Sequence, residues 1–516
     1  MVYDPNGLFP TVCACTHGCA IGNIIEYFDK EDSKIMNKII RLGNIYPSGG
    51  QNGEIYDARG VSPTISSGQG KQGNGIGSNN SPKCLINTKG EMNMWKNELT
   101  KFDFSIEEIK IFDVFAGIGA LHQSLKELGI PVEITALSEI DIDATISYAA
   151  GHIDNFKDLE FEYPSDEEMR SWLMDRNIGY SYEKKKSSVP RMKKEKLKLA
   201  YKSSYLLNNL GDISKINYKK IEDFDLMNFS FSCTDLSNAG KQRGMKNEDG
   251  TPTRSGLYVY GMKAIRIKKP KYIMIENVKG LIQKKFIDDF YSIIDELEEC
   301  GYNCYYPTKE DKKGNKIPTC LNSKDFGIPQ NRERIFVIAI RKDIDTKTFE
   351  FPVEKDYGIR LKDVLEDFVD EKYYIGKTKK FFIKNSFDME RKGNGFRFEP
   401  HLNNNAAIAK TITTRAGGRM DDNFIMDNDI GINESKFKFD SKNPILDYNS
   451  INPDDFRIRK LTPLECWRLM GFRDEAFYKA QELGISDSQL YKQAGNSIVV
   501  NCLYYIFKNL FKEYIK

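Results

Sequence analysis

The sequence predicts an α/β protein built on a mostly parallel sheet, with an irregular domain inserted late in the chain and a segment of different texture ahead of it. Three observations carry the prediction. From about residue 109, β-type runs alternate with helical stretches, the pattern of a parallel sheet whose ligand sites lie at the strands' carboxyl ends. Residues 344–456 break that alternation with polar, irregular sequence before the chain returns at RKLTPLECWRLMGF. The first hundred residues are rich in Gly, Ser and Asn, in stretches such as GNIYPSGGQNG and SGQGKQGNGIGSNN, which are loop signals.

The N-terminal segment, residues 1–100, contains an internal echo. VYDPNGLFPTVCACTHG (2–18) reads against IYDARGVSPTISSGQG (55–70), each running apolar, Tyr, Asp, then Gly, then Pro-Thr. A weaker third copy is AAIAKTITTRAGGRMDDNFI (406–425). Such repetition marks a duplicated supersecondary unit. The CACTHGC stretch (13–19) has C-x-C-x-H-x-C spacing, not the usual C-x2-C pair of a zinc site, and no metal is assigned to it.

The α/β region follows, residues 101–343. IKIFDVF (109–115) is a strand, AGIGA a glycine turn, and LHQSLKELG a helix closed by Gly129. VEITAL is a second strand and DIDATISYAAGH a helix. FDLMNFSF, KYIMIENV and RIFVIAI read as further strands, with helices near 256–267 and 285–299 between them. Residues 153–205 interrupt the alternation and end in EKKKSSVPRMKKEKLKLAYK, with nine Lys/Arg against two Glu. That run is either a solvated helix face or a phosphate contact. Residues 457–516 complete the chain.

Composition sets outer bounds. A chain of 516 residues implies two to four domains. Forty per cent hydrophobic residues suffice for a core, and charges of 29% nearly cancel to a net +2, which is silent on nucleic acid. No run of about 18 apolar residues appears, so no membrane span is expected. The opening MVYDPNGLFP carries no signal-peptide pattern, and the ten cysteines are expected as reduced thiols in a cytoplasmic setting.

The chemistry-bearing residues fall at predicted strand ends. In DVFAGIGALHQSL, Gly117 and Gly119 let backbone N–H groups approach a ligand. Glu139 ends the next strand, where a carboxylate takes the hydroxyls of a ribose. The third glycine of a dinucleotide fingerprint is replaced by His122, so a nucleoside-containing cofactor fits better. Asp212, in NLGDISKI, is placed to accept the exocyclic amine of an adenine. SFSCTDLSNAGKQRGM sets Cys233 just past a strand end, where a thiol is either a buried core group or an activated nucleophile. Glu276 and Asn277 end an apolar run, where a carboxylate is costly without partners. Gln330, Arg332 and Arg334 precede another strand, and such arginines want a planar acceptor or a carboxylate. A thiolate, a carboxyl group, a cation and an adenosyl-binding turn are together what methylation of cytosine at carbon 5 requires. That carbon is a poor nucleophile until a thiolate adds at carbon 6.

These motifs, in this order, resemble the DNA (cytosine-5) methyltransferases of bacteria and their phages. The resemblance rests on DVFAGIGALHQSL, SEID, GDIS, FSCTDLSNAGKQRGM, IENVKGL, FGIPQNRERIFVI, RKLTPLECWRLMGF and QAGNSIVVN. It implies a doubly wound sheet, the S-adenosylmethionine-dependent methyltransferase fold, with a last helix near 496–510 packed beside the first motif. It implies Cys233 as nucleophile, Glu276 at N3 of the base, and Arg334 at O2 with Arg332 supporting. Phe115, Gly117, Gly119, Glu139, Ile140, Asp212 and Asn496 then contact S-adenosylmethionine. Residues 344–456 become a target-recognition domain with Thr411 and Arg415, beside Gln330, as DNA contacts. The implied partners are double-stranded DNA and a cognate restriction endonuclease. One position departs: the family's Pro before the cysteine is Ser232 here, which leaves the loop without proline's fixed φ. Three alternatives stand at this point: a tRNA cytosine-5 methyltransferase, a catalytically impaired DNA-binding relative, and a nicotinamide oxidoreductase. The last leaves Cys233, Glu276 and the arginines without a task.

Overall fold

The computed structural model describes residues 41–44, 54–56, 99–231, 257–391, 398, 400–402, 407–427 and 457–516. The chain divides into two compact units, Met1–Met94 with Glu366–Ile375, and Trp95–Leu365 with Gly376–Lys516. In the first, Arg41–Asn44 and Glu54–Tyr56 pair antiparallel, and Asp370 caps the single turn Glu371–Tyr373. The Cys13–Cys19 stretch and the duplicated Tyr-Asp…Pro-Thr units lie outside the described residues, apart from Ile55 and Tyr56.

The second unit is built on a seven-stranded sheet. Its strands are β1 (Ile109–Val114), β2 (Val132–Ser138), β3 (Leu226–Phe229) and β4 (Tyr272–Val278). They are followed by β5 (Tyr302–Tyr305), β6 (Leu321–Asn322) and β7 (Glu333–Arg341). The order is β2-β1-β3-β4-β7-β6, with β5 also on β7. The first three pairings are parallel, so that Asp113 lies opposite both Leu137 and Asn228. β7 runs against β4, β5 and β6. The sheet is therefore mixed, parallel across its first four strands and antiparallel at the β7 end. An apolar run such as RIFVIAI marks a strand without marking its direction.

Both faces of the sheet are covered. Phe112, Val114, Met227, Phe229, Ile273 and Ile275 share a core with α5 (Tyr258–Lys268) and α6 (Ile287–Glu299). Alternate residues face the other way, where α1 (Ala120–Leu128) packs on the closing helix α11 (Val500–Leu510). Burial of Leu121, Leu125 and Leu128 on α1 contributes about 1.5–3 kcal/mol each. α1 stops at Gly129 (φ 96°), whose N–H donates to the Leu125 and Lys126 carbonyls in a glycine C-cap. α2 (Ile142–His152) starts where Asp141 accepts the Asp143 and Ala144 N–H groups.

The 153–205 insertion is an ordered layer. α3 (Asp166–Asp175) opens on a Ser165/Glu168 capping box and packs on α4 (Lys194–Leu206). Phe161, Trp172, Tyr201 and Tyr205 stack along their junction, with Arg176 3.8 Å over the Trp172 ring. The lysines of the basic run are mostly outward, Lys184–Lys186 at the tip of a short hairpin formed by Tyr180–Ser181 and Lys186–Ser187. α7 (Lys377–Arg391) leads into a small sheet of His401–Leu402, Phe424–Asp427 and Arg457–Lys460. The C-terminal return then forms α8 (Pro463–Arg468), α9 (Asp474–Glu482) and α10 (Asp487–Asn496) before α11. Among the described residues, no helix is long and apolar enough to cross a membrane.

Candidate active site

The glycine turn and the end of β2 are joined by one carboxylate. Phe115 (φ 57°) and Gly117 (φ 55°) adopt left-handed backbone, which lets the chain reverse directly from β1 into α1. The Gly117 N–H donates to Glu139 Oε2 at 2.9 Å, and the Asp141 N–H to Oε1 at 2.7 Å. Burial and the neighbouring Asp141 raise the Glu139 carboxyl, while these amides oppose the shift. A side chain on Gly117 would meet nothing within 4 Å, so the turn is open on that side. Gly119 is the reverse case: a Cβ there would strike His152 and Tyr148 at 2.7–2.9 Å. Ile140 accepts the Gly179 N–H through its carbonyl.

Behind the turn lies a buried polar cluster. Asp113 accepts from Asn228 Nδ2 at 2.6 Å, and burial pushes its carboxyl up to about 7. His122, at the third glycine position, stacks on His152 at 4.2 Å. Burial first, then Lys126, lowers His122 to about 3. The histidine that breaks the dinucleotide fingerprint thus fills the space behind the loop.

Asp212 is 5% exposed and fully engaged. Its Oδ1 accepts the Ser214 N–H and hydroxyl, and its Oδ2 accepts Asn177 Nδ2 at 2.8 Å and the Tyr182 hydroxyl. Burial alone would raise its carboxyl, but these bonds outweigh that and hold it below the usual range. The strand expected ahead of it reduces to a single parallel bridge between Leu137 and Asn209. Asn209, which the sequence reading passed over, bonds the Glu139 carbonyl and N–H and the Gly211 N–H. It fixes the spacing between Glu139 and Asp212. An Asn ahead of Leu-Gly-Asp was the available signal.

At the β3 and β4 ends, Glu276 Oε1 lies 2.9 Å from Arg334 Nε, both side chains being largely buried. Burial raises the Glu276 carboxyl and the Arg334 and Arg332 charges oppose it. Asn277 is 1% exposed and donates to the Phe231 carbonyl at 3.3 Å. Ser232 and Cys233 lie outside the described residues, which resume at Leu257. Phe231, two positions ahead of Cys233, is thereby tied to the residue that follows Glu276 on β4.

Gln330 and Arg332 both bond backbone inside the protein. Gln330, expected at DNA, is fully buried: its Nε2 donates to the Leu469 carbonyl at 2.7 Å and its Oε1 accepts the Ile412 N–H at 3.0 Å. It is a backbone clamp, since both ends of its amide are consumed inside the protein. Arg332, expected to support Arg334, donates to the carbonyls of Ile412, Gly495 and Ser497, and its charge acts on Glu276. Thr411 is exposed, its hydroxyl bonded to the Asn331 carbonyl; Arg415 and Asn496 are exposed. Gly495 has the Thr413–Thr414 peptide against it, where a Cβ would come within 2.5 Å.

A mixed α/β sheet with a glycine turn after its first strand and carboxylates at successive strand ends defines the methyltransferase fold. The Dnmt2 methyltransferase of S. pombe shares that fold at a TM-score of 0.50 with 18% identity, over 78% of this chain and 98% of that one. The description of the C-5 cytosine-specific DNA methylase family matches residues 177–512. The type II methyltransferase M2.ScrFI of Lactococcus lactis subsp. cremoris is 35% identical over 407 residues, 78% of this chain and 99% of that relative. The orphan methyltransferase M.SPRI of Bacillus phage SPR is 29% identical over 79% of this chain and 98% of its own length. The chain belongs to the C-5 cytosine-specific DNA methylase family.

Proposed function

We propose that the protein transfers a methyl group from S-adenosylmethionine to carbon 5 of a cytosine flipped out of double-stranded DNA, through a covalent adduct of Cys233. The observation that carries this reading is the largely buried Glu276–Arg334 pair, next in sequence to Asn277, which holds the Phe231 carbonyl two residues ahead of Cys233. In it, the Cys233 thiolate adds to carbon 6 of the ring. Glu276, raised by burial, serves N3, and Arg334 faces O2. Arg332 anchors the start of the strand that carries Arg334 to the Ile412, Gly495 and Ser497 carbonyls. When bound, S-adenosylmethionine supplies an electrophilic methyl group. The residues that would hold it are Phe115, Gly117, Gly119, Glu139, Ile140, Asp212 and Asn496. The open side of the turn at Gly117, whose N–H holds the Glu139 carboxylate, supports a nucleoside there.

Residues 344–456 serve as the target-recognition domain in this reading, with Thr411 and Arg415 toward DNA, and residues 1–100 as an accessory module. Residues 457–516 return to the catalytic domain that begins near 101. The protein works in the cytoplasm of a bacterial cell, within or alongside a restriction-modification system whose endonuclease shares its recognition sequence.

Transfer of a labelled methyl group to duplex DNA, with tRNA as the competing substrate, tests the reaction. DNA containing 5-fluorocytosine should trap a denaturation-resistant adduct, because fluorine does not leave as a proton does. Cys233→Ser should form none. An active enzyme that never traps an adduct would overturn the covalent mechanism.

A further inference from the structure

A carboxylate offers about four lone-pair sites, and in Asp212 all four are occupied. Ser214 fills both on Oδ1, and Asn177 and Tyr182 fill both on Oδ2. If Asp212 takes the exocyclic amine of the donor's adenine, as the proposed function holds, one of these partners must leave. The two candidates on Oδ2 differ in how firmly they are held.

Asn177 is fixed. It sits in a left-handed turn (φ 55°). Lys215 Nζ donates to its Oδ1 at 2.8 Å. The residue before it, Arg176, accepts the Asp212 N–H through its carbonyl at 2.9 Å. Gly211 lies so close to that carbonyl that a Cβ would come within 2.0 Å. Tyr182 is held loosely by comparison. It is 49% exposed and stands in the tip of the two-residue-paired hairpin, with Lys184 and Lys185. Its ring meets Tyr180 edge to face at 5.1 Å.

We infer that Tyr182 is a gating residue that competes with the donor's adenine amine for Asp212 Oδ2 and so lowers affinity for the adenosyl donor. The hydroxyl fills the acceptor in the free protein and is displaced when a nucleoside with a 6-amino group binds. Displacement frees the hairpin from the cofactor site. A nucleoside without the amine leaves Tyr182 in place.

The test is a calorimetric titration of the full chain with S-adenosylhomocysteine and with its S-inosyl counterpart, in which oxygen replaces the amine. Wild type should prefer the adenosyl compound. Tyr182→Phe, which removes only the hydroxyl, should bind the adenosyl compound more tightly, by roughly three- to tenfold, the worth of one hydrogen bond, and the inosyl compound unchanged. Amide exchange across 180–187 should quicken in wild type with the adenosyl compound alone. If wild type binds the two equally, Asp212 does not take the amine and the inference falls with that reading. If wild type discriminates but Tyr182→Phe binds no tighter or more weakly, Asp212 keeps its assigned place and the competition by Tyr182 is wrong.

Discussion

Glu276 and Arg334 meet across neighbouring antiparallel strands although they are not direct partners: Glu276 lies opposite Phe336 and Arg334 opposite Val278. The diagonal keeps both on one face of the sheet. Arg334 is the counter-charge that opposes the effect of burial on Glu276. Arg334→Ala should raise the Glu276 carboxyl further and lower kcat by roughly two orders of magnitude. The limb of the pH–rate profile due to Glu276 should move to higher pH. A profile that keeps its wild-type position would separate Glu276 from the acid–base step.

Arg332 bonds three backbone carbonyls on two distant segments. Arg332→Ala leaves these buried acceptors unpaired and should destabilise the protein by roughly 3–5 kcal/mol. Arg332→Lys keeps the charge but not the planar fork and should recover only part of the loss. Chemical denaturation of the three proteins reads the effect directly.

Gly495 admits the Thr413–Thr414 peptide at a distance no side chain tolerates. Gly495→Ala should push that segment away at a cost of about 1–3 kcal/mol. Methylation of DNA should fall further than donor affinity does. Equal losses in both would mean that the segment serves the donor site instead.

Asp113 and His122 should give opposite pH dependences of stability. The Asp113 carboxyl is raised to about 7 in the folded protein, so its contribution is full below the unfolded value near 3.9 and is lost as pH rises toward 7. His122 is lowered to about 3, so its contribution is full above about 6.5 and is lost as pH falls toward 3. The two slopes oppose each other between about pH 4 and 6.5. Asp113→Asn should steepen the loss of stability toward acid, and His122→Gln should flatten or reverse it. Melting temperatures across that window decide the matter.

Strand ends were the legible part of the sequence. DVFAGIGA, IMIENV and FSFSC each combine an apolar run with polar residues at its carboxyl end, and the folded chain does set Gly117, Glu139, Glu276 and Phe231 at the ends of β1 to β4 or just past them. The antiparallel course of β7 was not legible, because an apolar run has no direction. The clamps made by Gln330 and Arg332 were not legible either. Their partners lie 80 to 165 residues away, and a polar residue ahead of a strand looks the same whether it faces ligand or backbone. The basic run of 183–202 drew attention to charge, whereas the contribution of its segment to the site comes from Asn177 and Tyr182, on a left-handed turn and a short hairpin that leave no periodic trace.

The pairing of α1 with α11 also sets an order of events during synthesis. β1, β2 and the glycine turn leave the ribosome early, but the side of α1 that packs on α11 lacks that cover until residues 500–510 emerge. The nascent chain therefore carries a half-covered α1 behind the glycine turn through most of its translation. A chain cut short before α11 leaves that surface exposed, so truncated copies are expected to aggregate or be proteolysed rather than persist.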